Sequence, residues 1–411
     1  MNTWESAISV LLVVLAGGLV VGKLTERPRI PDVAAYLLLG ILVGPALLGW
    51  VAEPGRSEVN QFILNVGATL ILFDGGRSTA FSVLRRVWLS IGMLATVGVL
   101  VSALVVGAIV HWVFGFPWLY ALLLAGVLAS TDPATLIPVF KRVPIDPKLQ
   151  QTVESESAFN DATASVLVFT LVGLAGASHA VNLAIPVWQF IQSAVIGLLV
   201  GMALGLLGLW LTSQRGWGVF HEYGSLVMMA IALGAYQGAE ILHASGFMAA
   251  FAAGVITGNG QAFGWPLAEH TQDNADHFFN AVTMIMRMLI FVLLGTQVDF
   301  SVVRGNFLVG VVAVISLMFV ARPLSVLASV LVDRGARWGW RDVVFMFWVR
   351  ETGVIPAALA GMLTAQGLRG ADVIGAVTFM AILATILIQA TTTGVVARWL
   401  GVARPAEEED I

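Results

Sequence analysis

Thirteen apolar runs separated by short polar loops leave this chain few ways to fold. They cover approximately 6–22, 31–50, 58–76, 87–112, 117–140, 149–176, 187–212, 224–242, 245–259, 278–298, 306–331, 340–365 and 372–400. Most approach the roughly 20 residues that a helix needs to cross a bilayer. Only 11% of the 411 residues are charged and 58% are hydrophobic, where soluble domains carry about 25% charge. In hydrocarbon every backbone polar group must be satisfied within its own segment, so such runs become helices. The expected class is an all-α polytopic membrane protein with about 13 transmembrane helices. There is no cysteine, hence no disulfide framework and no thiolate metal site. The first run is read as a membrane helix rather than a cleavable signal, because Glu5 precedes it in place of a basic region.

Basic residues set the expected orientation. Fifteen of the 21 Lys and Arg residues fall after odd-numbered spans or in the tail, and three after even-numbered ones. Because basic loops stay in the cytoplasm, the C-terminus is expected inside and the N-terminus outside. The remaining three, Arg287, Arg322 and Arg350, lie within spans. The acidic end, 407–410, is read as part of a short cytoplasmic tail, 401–411.

The chain also repeats itself. Ala35 to Gly44 aligns with Ala249 to Gly258 at an offset of 214, through Gly40/Gly254 and Gly44/Gly258. Phe73-Asp-Gly-Gly76 falls near Leu293-Leu-Gly295 at a similar offset. On the expected topology the aligned spans run in opposite directions, so the repeats are inverted. The organisation read from this is one transporter domain over 1–411, with repeats at about 6–176 and 224–400 and a linker helix at about 187–212. Inverted repeats with a site at their interface are a secondary-transporter architecture.

Charge inside a membrane is a functional signal, and it concentrates at Glu156-Ser-Ala-Phe-Asn-Asp161. Ser157 and Asp161 are four apart and share one helix face. Glu156 and Asn160 form a second stripe about 100° round. The first stripe ends in a carboxylate that can bind a cation or a proton, and the second in an amide that can do neither. Ser157 and Asp161 are read as the working face, Glu156 and Asn160 as its support.

Two spans look broken. At Ser130-Thr131-Asp132-Pro133 the Asp-Pro pair is a helix-start signal inside an apolar run. Free backbone polar groups near Thr131 then face a cavity. In the twelfth span Arg350-Glu-Thr-Gly353 with Pro356 suggests a second break, so spans 5 and 12 are expected to cross at their interruptions. At about 1.5 Å per residue, Asp132, Arg350 and Asp161 all come near mid-bilayer. Buried charges must be paired. Glu156 is therefore assigned to Arg350, leaving Asp161 for transport, and Asp132 to the Asn160 amide. The competing pairing is Arg350 with Glu351 or Asp161. Asp74 is either a secondary ligand or an interfacial charge, and Arg287 and Arg322 receive no partner.

Ala129-Ser-Thr-Asp-Pro-Ala-Thr-Leu-Ile-Pro-Val-Phe140 followed by Glu156 to Asp161 resembles the NhaP-type sodium/proton antiporters of the monovalent cation:proton antiporter-1 family. The likeness extends to Leu72-Phe-Asp-Gly-Gly76 and to the arginine of span 12. It implies a homodimer whose six-helix core moves like an elevator, exchanging Na⁺ or Li⁺ for H⁺, one for one, in the cell (inner) membrane and serving pH homeostasis. It implies cation ligation by Asp161, Ser157, the Thr131 carbonyl and Asp74, supported by Asp132, Asn160, Glu156 and Arg350. Glu351, where many relatives carry a small residue, departs from the pattern.

Other classes fit less well. Gly17 to Leu24 nearly spells a phosphate-binding loop, but Leu24 cannot ligate magnesium and the stretch closes a membrane helix. None of the six histidines stands beside the acidic cluster, which disfavours a hydrolase. A K⁺/H⁺ antiporter or a cation channel would use the same acidic midplane. The expected partners are a monovalent cation, a proton, membrane lipid and a second copy of the chain, with no cofactor, no enzymatic activity and no nucleic acid.

Overall fold

The computed structural model describes residues 3–25, 32–51, 57–131, 140, 143–175 and 184–404. Asp132, Pro133 and the acidic end lie outside them. Among the described residues fourteen helices carry the fold: α1 (Thr3–Thr25), α2 (Asp32–Val43), α3 (Glu58–Arg77), α4 (Val87–Phe114), α5 (Trp118–Leu128), α6 (Pro147–Ala175) and α7 (Ala184–Thr212) come first. They are followed by α8 (Gly224–Ile241), α9 (Gly246–Gly258), α10 (Glu269–Thr296), α11 (Phe307–Val330), α12 (Trp340–Trp348), α13 (Val354–Ala365) and α14 (Ala371–Leu400). Helices α4, α6, α10, α11, α14 and the Phe190–Thr212 part of α7 are each long and apolar enough to cross a membrane. Every expected span has its helix or helix pair. The second is shorter than expected, ending at Val43, and α10 starts well before 278.

Both expected breaks are visible from at least one side. Helix α5 stops at Leu128, and Ser130 and Thr131 are non-helical. Residues 349–353 are non-helical between α12 and α13. Pro356 falls in the first turn of α13, where its missing N–H costs no helical bond.

The repeat read from the glycines is present in the packing. A Cβ on Gly40 would stand 2.2 Å from the Val292 carbonyl oxygen, and one on Gly254 would stand 2.0 Å from that of Phe73. A Cβ on Gly295 would meet the Leu37 oxygen at 2.3 Å, and one on Gly76 the Phe251 oxygen at 2.2 Å. Gly40/Gly254 and Leu37/Phe251 are both 214 apart, and Gly76/Gly295 and Phe73/Val292 are both 219 apart. So α2 crosses α10 as α9 crosses α3, with backbones too close for any side chain. Each repeat lends its second helix to the third helix of the other.

Wide π-turns interrupt α4 at Leu94–Gly98 and α11 at Leu317–Ala321. The second has a local cause in Pro323. Its ring would clash with the carbonyl of residue 319, and it donates no hydrogen bond. The wider turn takes up this mismatch, with the Arg322 amide bonding back to the Leu317 carbonyl.

Candidate cation and proton site

The polar side chains of α6 between Glu156 and Asp161 are buried. Glu156, Ser157, Asn160 and Asp161 are each at most 4% exposed. Facing them is the frayed end of α5. Asn160 grips Thr131 twice, accepting from its amide at 3.1 Å and donating to its hydroxyl at 2.7 Å. An amide has both a donor and an acceptor, whereas a carboxylate here could only accept. The Thr131 hydroxyl lies 2.8 Å from that of Ser157, and the Ser130 hydroxyl donates to the Asp161 carboxylate. Ser157 and Asp161 from one face of α6 and Asn160 from the other thus meet Ser130 and Thr131 at the end of the broken helix. The contact expected between Asn160 and Asp132 falls outside the described residues.

The buried ion pair differs from the expected one. Glu156 is held by Arg322 through two hydrogen bonds, one of them 2.9 Å between Nη2 and Oε2. Arg322 also donates from Nε to the Met346 carbonyl at 2.8 Å and from Nη2 to that of Val349 at 3.1 Å. One guanidinium thus ties α6 to the interruption between α12 and α13. Arg350, assigned to Glu156 from the sequence, instead reaches the Leu128 carbonyl from both Nη atoms at 3.2 Å and the Ala129 carbonyl at 2.8 Å. The physical reason is that ending α5 inside the protein exposes carbonyls that have no helical partner. A planar cation with five donors satisfies several at once. The signal missed in the sequence was Arg322-Pro323, a charge beside a ladder-breaking residue within one span.

Asp74 belongs to an ion-pair network between α3 and α10. Arg77 donates to it from Nη2 at 2.8 Å, and to Asp276 from Nη1. Arg77 also lies over the Phe279 ring, 5.2 Å from its centroid. Glu351 is fully buried and accepts from the Thr393 hydroxyl at 3.4 Å. Helix α14 supports the same break elsewhere. Its Thr385 hydroxyl accepts from the Thr352 amide at 3.0 Å, and Gln389 donates to the Trp348 carbonyl at 2.6 Å.

A carboxylate and hydroxyls on a buried frame are the oxygen ligands that hard cations take. Comparison with known proteins agrees with that chemistry. Residues 7–399 match the family model described as sodium/hydrogen exchanger, transmembrane. The chain belongs to the sodium/hydrogen exchanger family. It is 29% identical to Na⁺/H⁺ antiporter 1 of Methanocaldococcus jannaschii, covering 98% of each chain. It is 28% identical to the K⁺/H⁺ antiporter NhaP of Alkalimonas amylolytica, covering 99% of this chain and 69% of that one. Its fold matches the structure of the sodium proton antiporter MjNhaP1 from Methanocaldococcus jannaschii at pH 8, with a TM-score of 0.84 and 28% identity, over 97% of this chain and 99% of that one. Membership of this exchanger family makes the chain an integral multi-pass membrane transporter rather than an enzyme.

Proposed function

We propose that this exchanger trades one Na⁺ or Li⁺ for one proton at Asp161, by alternating access with an elevator-like movement of its core. The observation that carries the reading is the Asp161 carboxylate, buried, accepting from the Ser130 hydroxyl, and with an amide, not a second acid, beside it in the chain. Only a titrating group can hold a cation in one state and a proton in the other. Ser157 and the Thr131 carbonyl complete the oxygen shell, with Asp74 joining it when Arg77 releases Asp74 and keeps Asp276. Asn160, Glu156 and Arg350 support the site, together with Asp132. The protein acts as a homodimer in the inner membrane, in contact with membrane lipid, with its N-terminus outside and its C-terminus in the cytoplasm, and it contributes to pH homeostasis. Potassium is the second reading, favoured by the relative whose name gives K⁺ as its ion.

The test is reconstitution into liposomes with an imposed pH gradient, followed by pulses of Na⁺, Li⁺ or K⁺. Collapse of the gradient on adding one of the cations is expected, with Na⁺ and Li⁺ ahead of K⁺. A gradient that survives all three would reject exchange, and cation flux without proton movement would indicate a channel.

A further inference from the structure

The Ser130 hydroxyl donates directly to the Asp161 carboxylate. Its position is fixed from both sides. Immediately before it, the carbonyls of Leu128 and Ala129 are held by Arg350. Immediately after it, Thr131 is gripped by Asn160 through backbone and side chain. Ser130 itself is fully buried, so rotation of its side chain is the freedom left to it. The neighbouring hydroxyls of Thr131 and Ser157 lie within hydrogen-bond distance of each other.

A serine hydroxyl has one proton and two lone pairs, and it changes which it presents by rotating about one bond. Against Asp161 it can donate to the anion, accept from the neutral acid, or turn a lone pair to a cation while its oxygen stays in place. One side chain can therefore serve each occupancy of the carboxylate without movement of the backbone.

On the antiport reading above, we propose that Ser130 is a specificity-determining ligand whose hydroxyl oxygen joins Asp161 in coordinating the transported cation and favours the smaller alkali ions. Coulomb attraction grows as separation shrinks, so a small cation gains more from each oxygen than a large one. Small hard cations also give up water reluctantly and need replacement oxygens in place. Removing this hydroxyl leaves a gap too small for water to fill. Na⁺ and Li⁺ should lose more from that than K⁺.

The experiment measures cation-driven proton exchange in liposomes for the full chain and for Ser130→Ala, Ser130→Cys and Ser130→Thr, with Na⁺ and K⁺ each titrated. Alanine removes the oxygen, cysteine keeps the volume with a poor ligand for hard cations, and threonine keeps the hydroxyl. The expected result for Ala and Cys is an apparent KM for Na⁺ raised about tenfold, as for loss of a contact to a charged group. The KM for K⁺ should rise less and kcat should change less than KM, while Thr retains most of the discrimination. Melting in detergent gives a second reading: the rise in Tm on adding Na⁺ should shrink in Ala and Cys and persist in Thr. An unchanged Na⁺/K⁺ ratio, or equal losses for both ions, in variants beside an active parent would overturn the role of Ser130 and leave antiport standing. A parent protein that exchanges no cation would overturn both.

Discussion

Arg350 sets both of its terminal nitrogens 3.2 Å from the carbonyl oxygen of Leu128. A charge on one interrupted helix thereby closes the end of the other. The C-terminal end of a helix carries about half a negative charge, so the contact is a charge pair as well as a cap. Replacement of Arg350 by Met should lower stability by about 1.5–3 kcal/mol, the range of hydrogen bonds to charged groups. Lysine should recover only part, because one ammonium cannot reproduce the planar fork. Melting of both variants in detergent checks this, and a Met variant as stable as the parent would exclude the capping role.

The pairing of Glu156 with Arg322 makes a separate prediction. Removing one partner of a buried ion pair costs about 3–5 kcal/mol because the other is left uncompensated. Glu156→Gln and Arg322→Met should each melt far below the parent, and the double variant should lose much less than the sum. The same cycle with Arg350 in place of Arg322 should come closer to additivity. Strong coupling only in the Arg350 cycle would contradict the geometry.

At Asp161 the expected outcome is functional and not structural. Asp161→Asn retains the side-chain shape and an oxygen for the Ser130 hydroxyl, so the protein should melt near the parent temperature while exchange is lost. Cation-driven proton movement in well-folded Asp161→Asn vesicles would remove Asp161 from the mechanism.

Charge stoichiometry follows from the residues next to Asp161. Asn160 cannot ionise, and Glu156 is occupied by Arg322. With one proton carrier, exchange is expected to be indifferent to voltage in liposomes clamped with potassium and valinomycin, using Na⁺ as test cation. A several-fold dependence on potential would mean that a second carboxylate moves a proton. Asp74→Asn would then show whether the acid beside Arg77 is its source.

The crossings of α2 with α10 and α3 with α9 offer a paired test of packing. Gly40→Ala and Gly254→Ala place a methyl about 2 Å from a backbone oxygen, where no side-chain rotation gives relief. Both should be destabilised by at least the 1–3 kcal/mol typical of overpacking. Gly173→Ala, in a helix with nothing within 4 Å of the added methyl, should be neutral or gain up to about 1 kcal/mol. Similar melting of all three would argue against the close crossings.

Much of this architecture was legible because membrane helices are written in composition and in small residues. The thirteen runs, the breaks near Thr131 and Gly353 and the glycine repeat each rest on a local rule that lipid leaves little room to override. That Ser157 and Asp161 share one face of α6 was legible from spacing alone. Which arginine meets Glu156 was not, because partner choice depends on distances between helices far apart in the chain, Glu156 and Arg322 being separated by 166 residues. Arg350 also had a stronger claim on it from the open end of α5, and that claim exists only once the helix is known to stop at Leu128. The grip of Asn160 on Thr131 was hidden for a similar reason, since it uses a backbone amide that the sequence does not distinguish from any other.

The swapped crossings also bear on how the chain is made. Helix α2 leaves the ribosome about 250 residues ahead of the α10 segment that its Gly40 meets. At roughly 5–20 residues per second, that is a delay on the order of tens of seconds. Through it, a bare glycine groove waits in the bilayer for its mate. The first half of the protein is thus inserted well before it can be assembled. A translation pause or a premature stop between α7 and α9 would leave the membrane holding helices whose closest neighbours have not yet been synthesised.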